Sequence, residues 1–378
     1  MTDIKASCLL VINVGSSSIK FQLFSRQPNP KRLAYGKVVD IGGKPLFTVT
    51  DALLNSGDDP IDQKSLSEQC THEEALRFIL NWIDAWSEQW PVTVVAHRIV
   101  HGGTLFKSSV VIDSRVMKQL WELAPLAPLH QPHNLKAIEI INQLKPEIPQ
   151  IACFDTAFHA HHEALFTEYA LPQTIRAQGV RRYGFHGLSY EWITHTLCQH
   201  EPSLVNGRII AAHLGNGASL CAMHHGVSID TTMGMTALDG LPMGTRCGNL
   251  DPGAVLFMIR QLGLSSDEIE HLFYNESGLL GLSGLTNDVK ILEESESEKA
   301  RFALEYFCLK TAQFMGMMAV ALGGVDAIVF TGGIGENSAF VRDGILRRLE
   351  FLKPFEIRIV SANEERMMAL HAMSLLEN

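Results

Sequence analysis

A glycine-containing turn between two apolar strands is the segment of this sequence best suited to bind an anion. The turn is His213-Leu214-Gly215-Asn216-Gly217-Ala218-Ser219, and it directly follows the apolar residues 209–212. Glycine adopts positive φ without a steric penalty, so successive backbone N–H groups of such a turn can point toward one anion. Taken alone, the same pattern is also that of an ordinary β-hairpin. The chemistry that it permits is phosphate binding through the main chain.

The same arrangement of apolar strand, polar residue and glycine turn occurs near the N-terminus. Asn13-Val14-Gly15-Ser16-Ser17-Ser18 follows the apolar residues 9–12. A third glycine loop, Gly332-Gly333-Ile334-Gly335-Glu336-Asn337, follows the apolar residues 327–330. A weak internal repeat across a long chain predicts two similar halves. Two phosphate-binding hairpins, one from each half, predict a nucleotide site.

Other polar clusters are less specific. Arg98 ends an apolar strand and is followed by His101-Gly102-Gly103, a position where α/β proteins place binding groups, although a surface ion pair explains it equally well. The run Phe158-His159-Ala160-His161-His162-Glu163 does not match the H-E-x-x-H zinc motif, so we predict a solvated turn or helix start there. The Walker A pattern and a complete G-x-G-x-x-G are absent from the sequence.

Seven motifs occur in the order found in one known family. They are VINVGSSSIKFQLF, AHRIVHGG, FDTAFH, RRYGFHGLSY, HLGNGASL, MGTRCGNLDPG and FTGGIGENS. Each motif alone is weakly specific, whereas seven in order are strongly so. From Leu9 to about Ala369, the chain resembles the acetate/propionate/butyrate kinase family, within the sugar kinase/heat-shock/actin superfamily.

The resemblance implies both a fold and an activity. The fold would be α/β, with two duplicated actin-like (ribonuclease H-like) domains, each a five-stranded mixed sheet with helices, and an active-site cleft between them. Residues 1–154 and 337–378 would form the N-terminal domain, with the C-terminal segment crossing back, and residues 155–336 the nucleotide-binding domain. The activity would be reversible transfer of the γ-phosphoryl group of ATP to acetate, giving acetyl phosphate and ADP, as used in acetyl-CoA biosynthesis. Mg²⁺ would assist, with Mn²⁺ as the alternative ion.

The catalytic residues follow from the same resemblance. A carboxylate acceptor is already ionised at pH 7 and needs no general base, but one anion attacking another needs cations to reduce their repulsion. Arg98 and Arg246 match the family's two arginines, whose planar guanidinium groups can hold a carboxylate or phosphoryl group. His186 would contact the phosphoryl group during direct in-line transfer, and Asp155 would complete the catalytic set.

The metal and nucleotide positions are also implied by the family. Asn13 and Glu336 match its magnesium-binding positions, where the ion would be held partly through water. The nucleotide-binding positions are Lys20, His213, Leu214, Gly215, Asn216, Gly217, Asp288, Val289, Lys290, Gly332, Gly333, Ile334, Gly335 and Asn337.

The pocket for the acyl group is bounded by four residues in this family. Here they are Val100, Leu129, Phe185 and Ala237, beside the substrate-binding Arg98. Ala237 stands where proline is common, which predicts a wider pocket, and one methylene in such a pocket changes discrimination by only about 1–3 kcal/mol. The other departures are Cys247 and Asn249 for Ser and Asp, Lys290 for Arg, and Gly332, which propionate kinases often share.

Composition limits the partners. A net charge of −10 argues against nucleic acid or an anionic membrane as the main partner. Seven scattered cysteines without a C-x-x-C motif, and an N-terminus that lacks a signal-peptide layout, predict a cytoplasmic protein. The longest apolar region, 314–330, is interrupted by Gly323-Gly324 and Asp326, so no membrane span is expected. Members of the family are homodimers, which implies a homodimer here.

Three alternatives fit parts of this pattern. A propionate kinase of the same family differs only in its acceptor. A sugar or polyol kinase of the superfamily would use Asp155 as a general base, because a hydroxyl must lose its proton to attack. The pair Arg98 and Arg246 favours an anionic acceptor, since a neutral sugar does not need two guanidinium groups. An actin-like or chaperone-like ATPase would need a peptide groove or filament surface, of which the sequence gives no sign.

Helical periodicity predicts the supporting helices. Thr71-His72-Glu73-Glu74 is a capping box that begins a helix with one apolar face. Further helices are predicted over 134–144 and 338–349 and near 363–376. Residues 300–322 are apolar on most faces, which predicts a helix buried at the centre of the second domain.

Overall fold

The computed structural model describes residues 7–15, 17–51, 62–86 and 91–377. By its internal contacts the chain divides into two compact units, Met1–Ala157 with Asn363–Asn378, and Phe158–Ala362. Residues 337–362, which the sequence analysis assigned to the N-terminal domain, fall in the second unit because they carry an edge strand of its sheet. The domain boundaries themselves stay a prediction.

The described residues form strands and helices in both units. The strands are β1 (Cys8–Val14), β2 (Ile19–Ser25), β3 (Arg32–Val39), β4 (Leu46–Asp51), β5 (Asp62–Ser65), β6 (Val92–Ile99), β7 (Val110–Val111), β8 (Gln150–Phe154), β9 (Arg208–Leu214), β10 (Ala218–His224), β11 (Val227–Thr231), β12 (Ala327–Thr331) and β13 (Glu356–Ile359). The helices are α1 (His72–Trp86), α2 (Ser114–Glu122), α3 (Gln131–Leu144), α4 (Ala164–Thr167), α5 (Gln173–Arg176), α6 (Gly187–His200), α7 (Pro202–Val205), α8 (Pro252–Gln261), α9 (Ser266–His271), α10 (Gly278–Ser283), α11 (Val289–Glu294), α12 (Glu298–Leu322), α13 (Gly332–Asn337), α14 (Ala339–Leu346) and α15 (Glu364–Glu377).

The two sheets share one topology. The second sheet has the order β11-β10-β9-β12-β13, in which β9 is antiparallel to β10 and parallel to β12. The first sheet contains the same arrangement as β3-β2-β1-β6-β8, with β1 antiparallel to β2 and parallel to β6. The internal repeat read from the sequence therefore corresponds to a repeated sheet, and the predicted α/β class with two similar mixed sheets is confirmed.

The first sheet is larger than the five strands expected. It has eight strands, in the order β5-β4-β3-β2-β1-β6-β8-β7. The extra strands β4 and β5 continue the antiparallel meander beyond β3, and the two-residue β7 pairs with the opposite edge at β8. Short strand-like segments that alternate with turns over residues 28–69 predict an outer part of the sheet with its loops, which β3, β4 and β5 confirm. The expected count of five strands is too low.

The core of the first unit lies on both faces of β1. Leu9, Leu10 and Val11 are completely buried, as expected for a central strand covered on both sides. Helices α1 and α3 contribute to a core that β1 and β2 line, and α15 packs against β1, β2, β6 and β8. The predicted capping box is confirmed, because the Thr71 N–H donates to Glu74 Oε2 at 2.8 Å and the Glu74 N–H donates to Thr71 Oγ1 at 3.2 Å.

Helix α12 differs from its prediction. One face is buried, but Phe302, Leu309, Met317 and Val320 are 58%, 42%, 57% and 82% exposed, so the helix is not enclosed within the second unit. These four apolar residues form an exposed stripe along the helix, which we call the α12 stripe. No helix among the described residues is both long and apolar enough to cross a lipid bilayer.

Several histidines are buried in their neutral form. Burial lowers the pKa of His97 from its ordinary 6.5 to about 4, even though its hydrogen bond to Gln150 Oε1 at 2.7 Å opposes the shift. Burial likewise lowers the pKa of His101 and His159 to about 4, and that of His162 to about 3. Between pH 6.5 and about 4, the unfolded chain binds protons that the folded chain does not, so stability falls as the pH falls through this window.

We expect His97→Gln to weaken this pH dependence, because glutamine can still donate to Gln150 but does not titrate. Between pH 7.5 and pH 5, one such histidine lowers the free energy of unfolding by about 2 kcal/mol. Urea unfolding at the two pH values measures this difference for the wild type, for His97→Gln and for the control His161→Asn, whose side chain is exposed. Equal pH dependence in all three proteins would contradict the assignment to His97.

Candidate active site

The predicted phosphate-binding turn joins β9 to β10. Leu214 pairs with Ala218 at the mouth of the hairpin, and the Gly215 N–H donates to Gly217 O at 3.0 Å. Asn216 fixes the outer side of the turn, since its backbone oxygen accepts from the Gly244 N–H at 3.0 Å and its side-chain Oδ1 accepts from Asn287 at 2.9 Å. The segment is thus a β-hairpin whose tip is held by two other segments of the second unit.

Two candidate catalytic groups lie beside Gly217. A Cβ atom built on this glycine would lie 3.2 Å from His186 Nε2 and 3.8 Å from Arg246 Nη1. A side chain at position 217 would therefore occupy the space that these two groups border. The structure thus brings together three residues that are far apart in the sequence, at a turn able to present N–H groups to an anion.

Arg246 is oriented by its surroundings in the second unit. Its Nη1 group donates to Ala237 O at 3.3 Å, and its guanidinium carbon lies 5.8 Å from the centre of the Tyr274 ring. The next residue, Cys247, donates its backbone N–H to Phe273 O at 3.1 Å. Ala237 therefore contacts this predicted catalytic arginine through its carbonyl group, in addition to its predicted place in the acyl pocket.

A cavity of about 630 Å³ lies beside the same turn, a size typical of small-molecule sites. Eight predicted nucleotide-binding residues line it: Gly215, Asn216, Asp288, Val289, Lys290, Gly333, Ile334 and Asn337. Four residues that the sequence analysis did not name also line it: Asn287, Glu293, Glu294 and Ser338. Asn287 could have been predicted from the sequence, because it directly precedes the predicted Asp288. Asp288 itself caps α11 by accepting from the Lys290 N–H at 2.9 Å.

The remaining predicted nucleotide-binding residues of the second unit adjoin this cavity without lining it. They are His213, Leu214, Gly217, Gly332 and Gly335. The predicted glycine loop 332–337 folds as the short helix α13. Gly332 has φ of +80°, and a Cβ there would lie 2.7 Å from Leu214 O, so this position needs glycine. Lys20, the last predicted member, lies on β2 of the first unit with an exposed side chain.

The two predicted metal-binding residues belong to different units. Asn13 is half-buried on β1. Glu336 Oε1 accepts from the Gly332 N–H at 3.1 Å and from the Ala362 N–H at 2.9 Å, so this carboxylate also fixes the glycine loop. Among the described residues, no group of three or more His, Cys, Asp or Glu side chains could hold a metal ion. The side-chain oxygens of Asn13 and of Glu336 are of the type that hard divalent cations prefer.

In the first unit, Arg98 and Asp155 form a buried ion pair. Arg98 Nε donates to Asp155 Oδ1 at 2.9 Å, and Nη2 donates to Oδ2 at 2.8 Å, with the two side chains 19% and 5% exposed. Burial alone would lower the pKa of Arg98, but the Asp155 carboxylate raises it above its ordinary value, so the guanidinium stays charged. Arg98 is the last residue but one of β6, and Asp155 directly follows β8, the adjacent parallel strand. The ion pair that was the alternative expectation for Arg98 is present, but it lies mostly below the surface.

Asn134 organises the strand ends around this pair and was not predicted. Its Oδ1 accepts from the Val100 N–H at 3.3 Å, and its Nδ2 donates to Val14 O at 2.7 Å. It therefore links the predicted acyl-pocket residue to the end of β1, where the first glycine turn begins. Its place in the predicted helix gave no signal of this role. Leu129, the other acyl-pocket candidate of this unit, is 39% exposed.

Of the two acyl-pocket candidates in the second unit, Phe185 is 3% exposed and Ala237 is half-buried. The histidine run that precedes them has a hydrogen-bonding role. His159 is buried, with Nδ1 2.8 Å from Ser228 Oγ and Nε2 3.0 Å from Phe185 O. His162 Nε2 lies 2.6 Å from the same serine hydroxyl.

Several known proteins are similar to this chain along most of its length. An acetate kinase of Rhodopseudomonas palustris is 46% identical over 348 residues, covering 91% of this chain and 86% of that protein. An acetate kinase of Methylocella silvestris is 41% identical over 397 residues, covering 98% of each. The crystal structure of Porphyromonas gingivalis acetate kinase matches with a TM-score of 0.87 at 34% identity, covering 98% of this chain and 100% of that one. The crystal structure of a propionate kinase from Francisella tularensis matches with a TM-score of 0.90 at 33% sequence identity, and it covers 98% of this chain and 100% of that one.

A family model extends the comparison along the sequence. The model described as the acetokinase family matches residues 8–368, which include the three glycine turns, the Arg98–Asp155 pair and the residues around Gly217. The relatives at 41–46% identity cover nine-tenths or more of this chain. The chain therefore belongs to the acetokinase family.

Proposed function

We propose that this protein is an acetate kinase, which transfers the γ-phosphoryl group of ATP to acetate and forms acetyl phosphate and ADP reversibly. The observation that carries the proposal is the convergence of Arg246 and His186 on Gly217, at the phosphate-binding turn of an acetokinase-family chain. Cations and hydrogen-bond donors fixed around a phosphoryl group are the main requirement of phosphoryl transfer.

The second unit would bind the nucleotide. The cavity contains Asp288, Glu293 and Glu294 against the single cation Lys290, so it suits the neutral adenosine part of ATP better than its phosphates. Carboxylates can accept hydrogen bonds from ribose hydroxyls or from the exocyclic amine of adenine. The phosphates would then extend along the 213–217 turn, where backbone N–H groups and Arg246 supply the complementary charge.

The first unit would bind the carboxylate substrate through Arg98. The Asp155 pair keeps this guanidinium charged and fixed, and the remaining N–H groups of Arg98 are available in a planar fork that matches a carboxylate. Acetate is an anion at neutral pH, so its oxygen attacks the γ-phosphorus in line without prior loss of a proton. The bond to the ADP leaving oxygen breaks as the bond to acetate forms.

The metal ion proposed for this reaction is Mg²⁺, with Mn²⁺ as the alternative. Asn13 and Glu336 would hold it together with phosphate oxygens and water. When bound, the ion neutralises charge on the β- and γ-phosphates. Glu336 contributes in a second way, because its hydrogen bonds from Gly332 and Ala362 fix the loop beside the cavity.

The sugar-kinase alternative is disfavoured by the state of Asp155. That reading requires this residue to accept a proton from a substrate hydroxyl. Both of its carboxylate oxygens instead accept N–H groups from Arg98, and its side chain is 5% exposed. Asp155 would therefore hold the arginine that binds the anionic acceptor.

Propionate kinase stays the alternative within the family. Ala237 is smaller than the proline common at this position, and Gly332 is shared with many propionate kinases. Ala237 also accepts from Arg246, so a change at this position could shift the arginine as well as the pocket wall. Val100 is the residue expected for acetate.

We further propose a homodimer in the cytoplasm, acting in acetyl-CoA biosynthesis. The α12 stripe supports the dimer, because large apolar residues exposed on one face of a helix can mark an interaction site. Seven scattered cysteines that form no disulfide are typical of a reducing compartment.

An acceptor screen tests the proposed activity. ADP release and hydroxylamine trapping of acyl phosphate are measured with Mg-ATP and acetate, propionate, butyrate, glycerol or no acceptor. We expect hydroxamate from acetate to exceed that from propionate, and Ala237→Pro to change the ratio by about 10- to 200-fold, the range that one methylene gives in such a pocket. Propionate equal to acetate would favour the propionate-kinase reading, and ADP release without hydroxamate would overturn carboxylate transfer.

Substitution of the two arginines tests their roles. We expect Arg98→Ala and Arg246→Ala each to lower kcat by about 100- to 1000-fold, because each removes a fixed charge from the transition state. ATP binding, measured by equilibrium titration, should weaken much less. Arg77→Ala is the matched control, since Arg77 forms only an exposed pair with Glu73 on α1. Wild-type turnover in both test variants would refute the mechanism.

The α12 stripe gives a separate test of the dimer. Light scattering should give the wild type twice its chain mass of 41.8 kDa. Met317→Glu combined with Val320→Glu should shift the protein toward the monomer, because buried unpaired charges oppose association. Lys299→Glu, an exposed change near the start of the same helix, controls for added negative charge. A monomeric wild type would contradict the proposal.

A further inference from the structure

A chain of buried hydroxyl groups ends on the imidazole of His186. Tyr190 lies one turn along α6 from His186, and its hydroxyl contacts Ser219 Oγ. Ser219, the last residue of the 213–219 turn motif, has its Oγ 2.8 Å from His186 Nδ1. Both Tyr190 and Ser219 are completely buried. The roles proposed above for the active site do not use either residue.

The direction of these hydrogen bonds follows from counting protons. A buried phenol must donate its proton to an acceptor. In the part of the chain that the structure describes, the acceptor of the Tyr190 hydroxyl is Ser219 Oγ. Burial raises the pKa of Tyr190 well above its ordinary value, which keeps that proton on the phenol. Ser219 has one proton of its own, and its other partner is His186 Nδ1, so it donates to that nitrogen.

We propose that Tyr190 and Ser219 are positioning residues that hold His186 as the neutral tautomer protonated on Nε2, with this N–H facing the space beside Gly217. The effect of this tautomer on catalysis rests on the proposed function, since the transferred phosphoryl group would lie in that space. His186 would then act as a neutral hydrogen-bond donor. The hydrogen-bond partner of one ring nitrogen commonly sets which tautomer a histidine adopts.

The stacking of His186 on His213 agrees with a neutral ring. The two imidazole centres are 4.3 Å apart with an interplanar angle of 25°. Two cations at this distance would repel each other. His213 Nδ1 is also 2.8 Å from a hydroxyl, that of Ser189 on α6, so each ring has a serine at its Nδ1 position.

The backbone of His186 is fixed as firmly as its ring. Its φ of +58° places a non-glycine residue in the left-handed region at the start of α6, a conformation that surrounding contacts must maintain. The preceding Phe185 oxygen accepts from buried His159 Nε2 at 3.0 Å. A Cβ on Gly184 would lie 2.7 Å from the same His159 ring, so this glycine allows the close approach. His159, the first histidine of the unassigned run, thus helps to place the catalytic ring.

The tautomer can be measured directly in the full chain. Long-range ¹H–¹⁵N NMR of protein labelled with ¹⁵N-histidine distinguishes protonated from unprotonated ring nitrogens, and His186→Gln identifies the resonances. We expect an unprotonated Nδ1 and a protonated Nε2 in the wild type. Ser219→Ala should give a mixture of tautomers, whereas Thr194→Val, which removes another hydroxyl on α6, should leave His186 unchanged. A wild-type His186 protonated on Nδ1, or on both nitrogens at neutral pH, would overturn the proposal.

Kinetics supply the second readout. We expect Ser219→Ala to lower kcat by about 10-fold and Tyr190→Phe to lower it by about 3-fold, because each variant weakens the alignment of the His186 N–H donor. The KM for ATP should stay within about 2-fold of the wild-type value in both variants. A kcat equal to the wild type in both variants would contradict the role. The NMR result does not depend on activity, so failure of the proposed function would leave it intact.

Discussion

The ion pair between Arg98 and Asp155, largely withdrawn from solvent, is the interaction on which the proposed substrate-binding part of the first unit depends. Two charges removed from water are stable only when they satisfy each other, and loss of one partner leaves an uncompensated buried charge, with a penalty of about 3–5 kcal/mol. The pair satisfies this condition through two parallel hydrogen bonds. The register of β6 and β8 makes the geometry available, because Arg98 lies opposite Cys153 and the Asp155 N–H donates to Ile99 O at 3.0 Å. A cation that would be mobile on the surface is thereby fixed.

The repeated sheet extends the same principle to the second unit. In each sheet the functional segments follow the carboxyl ends of the central strands, as is general in open α/β sheets. The turn after β9 and the loop after β12 are neighbours because those strands are parallel and Thr331 lies opposite His213. The close approach of Gly332 to Leu214 then brings the glycine loop against the turn. One strand order, used twice, thus positions two sets of binding groups.

The sequence identified the parts that depend on local chemistry. Strands, glycine turns and the capping box at Thr71 are encoded within a few residues, and most were predicted close to their observed positions. The resemblance supplied Arg246 and His186, which the structure places together at Gly217. Features that depend on distant contacts were missed: the number of strands in the first sheet, the exposed face of α12, and the bridging role of Asn134. A buried polar side chain has no local signature of its partners.

A double-mutant cycle on the buried pair tests the central claim most directly. Activity with acetate and stability are measured for Arg98→Ala, Asp155→Ala and the double variant. If Asp155 acts by holding Arg98, the second substitution should lower kcat/KM by less than about 2-fold in the Arg98→Ala background, and should not destabilise it further. If Asp155→Ala instead lowers kcat/KM by the same factor in the Arg98→Ala background as in the wild type, Asp155 acts independently of Arg98. That result would contradict the proposed role of the ion pair.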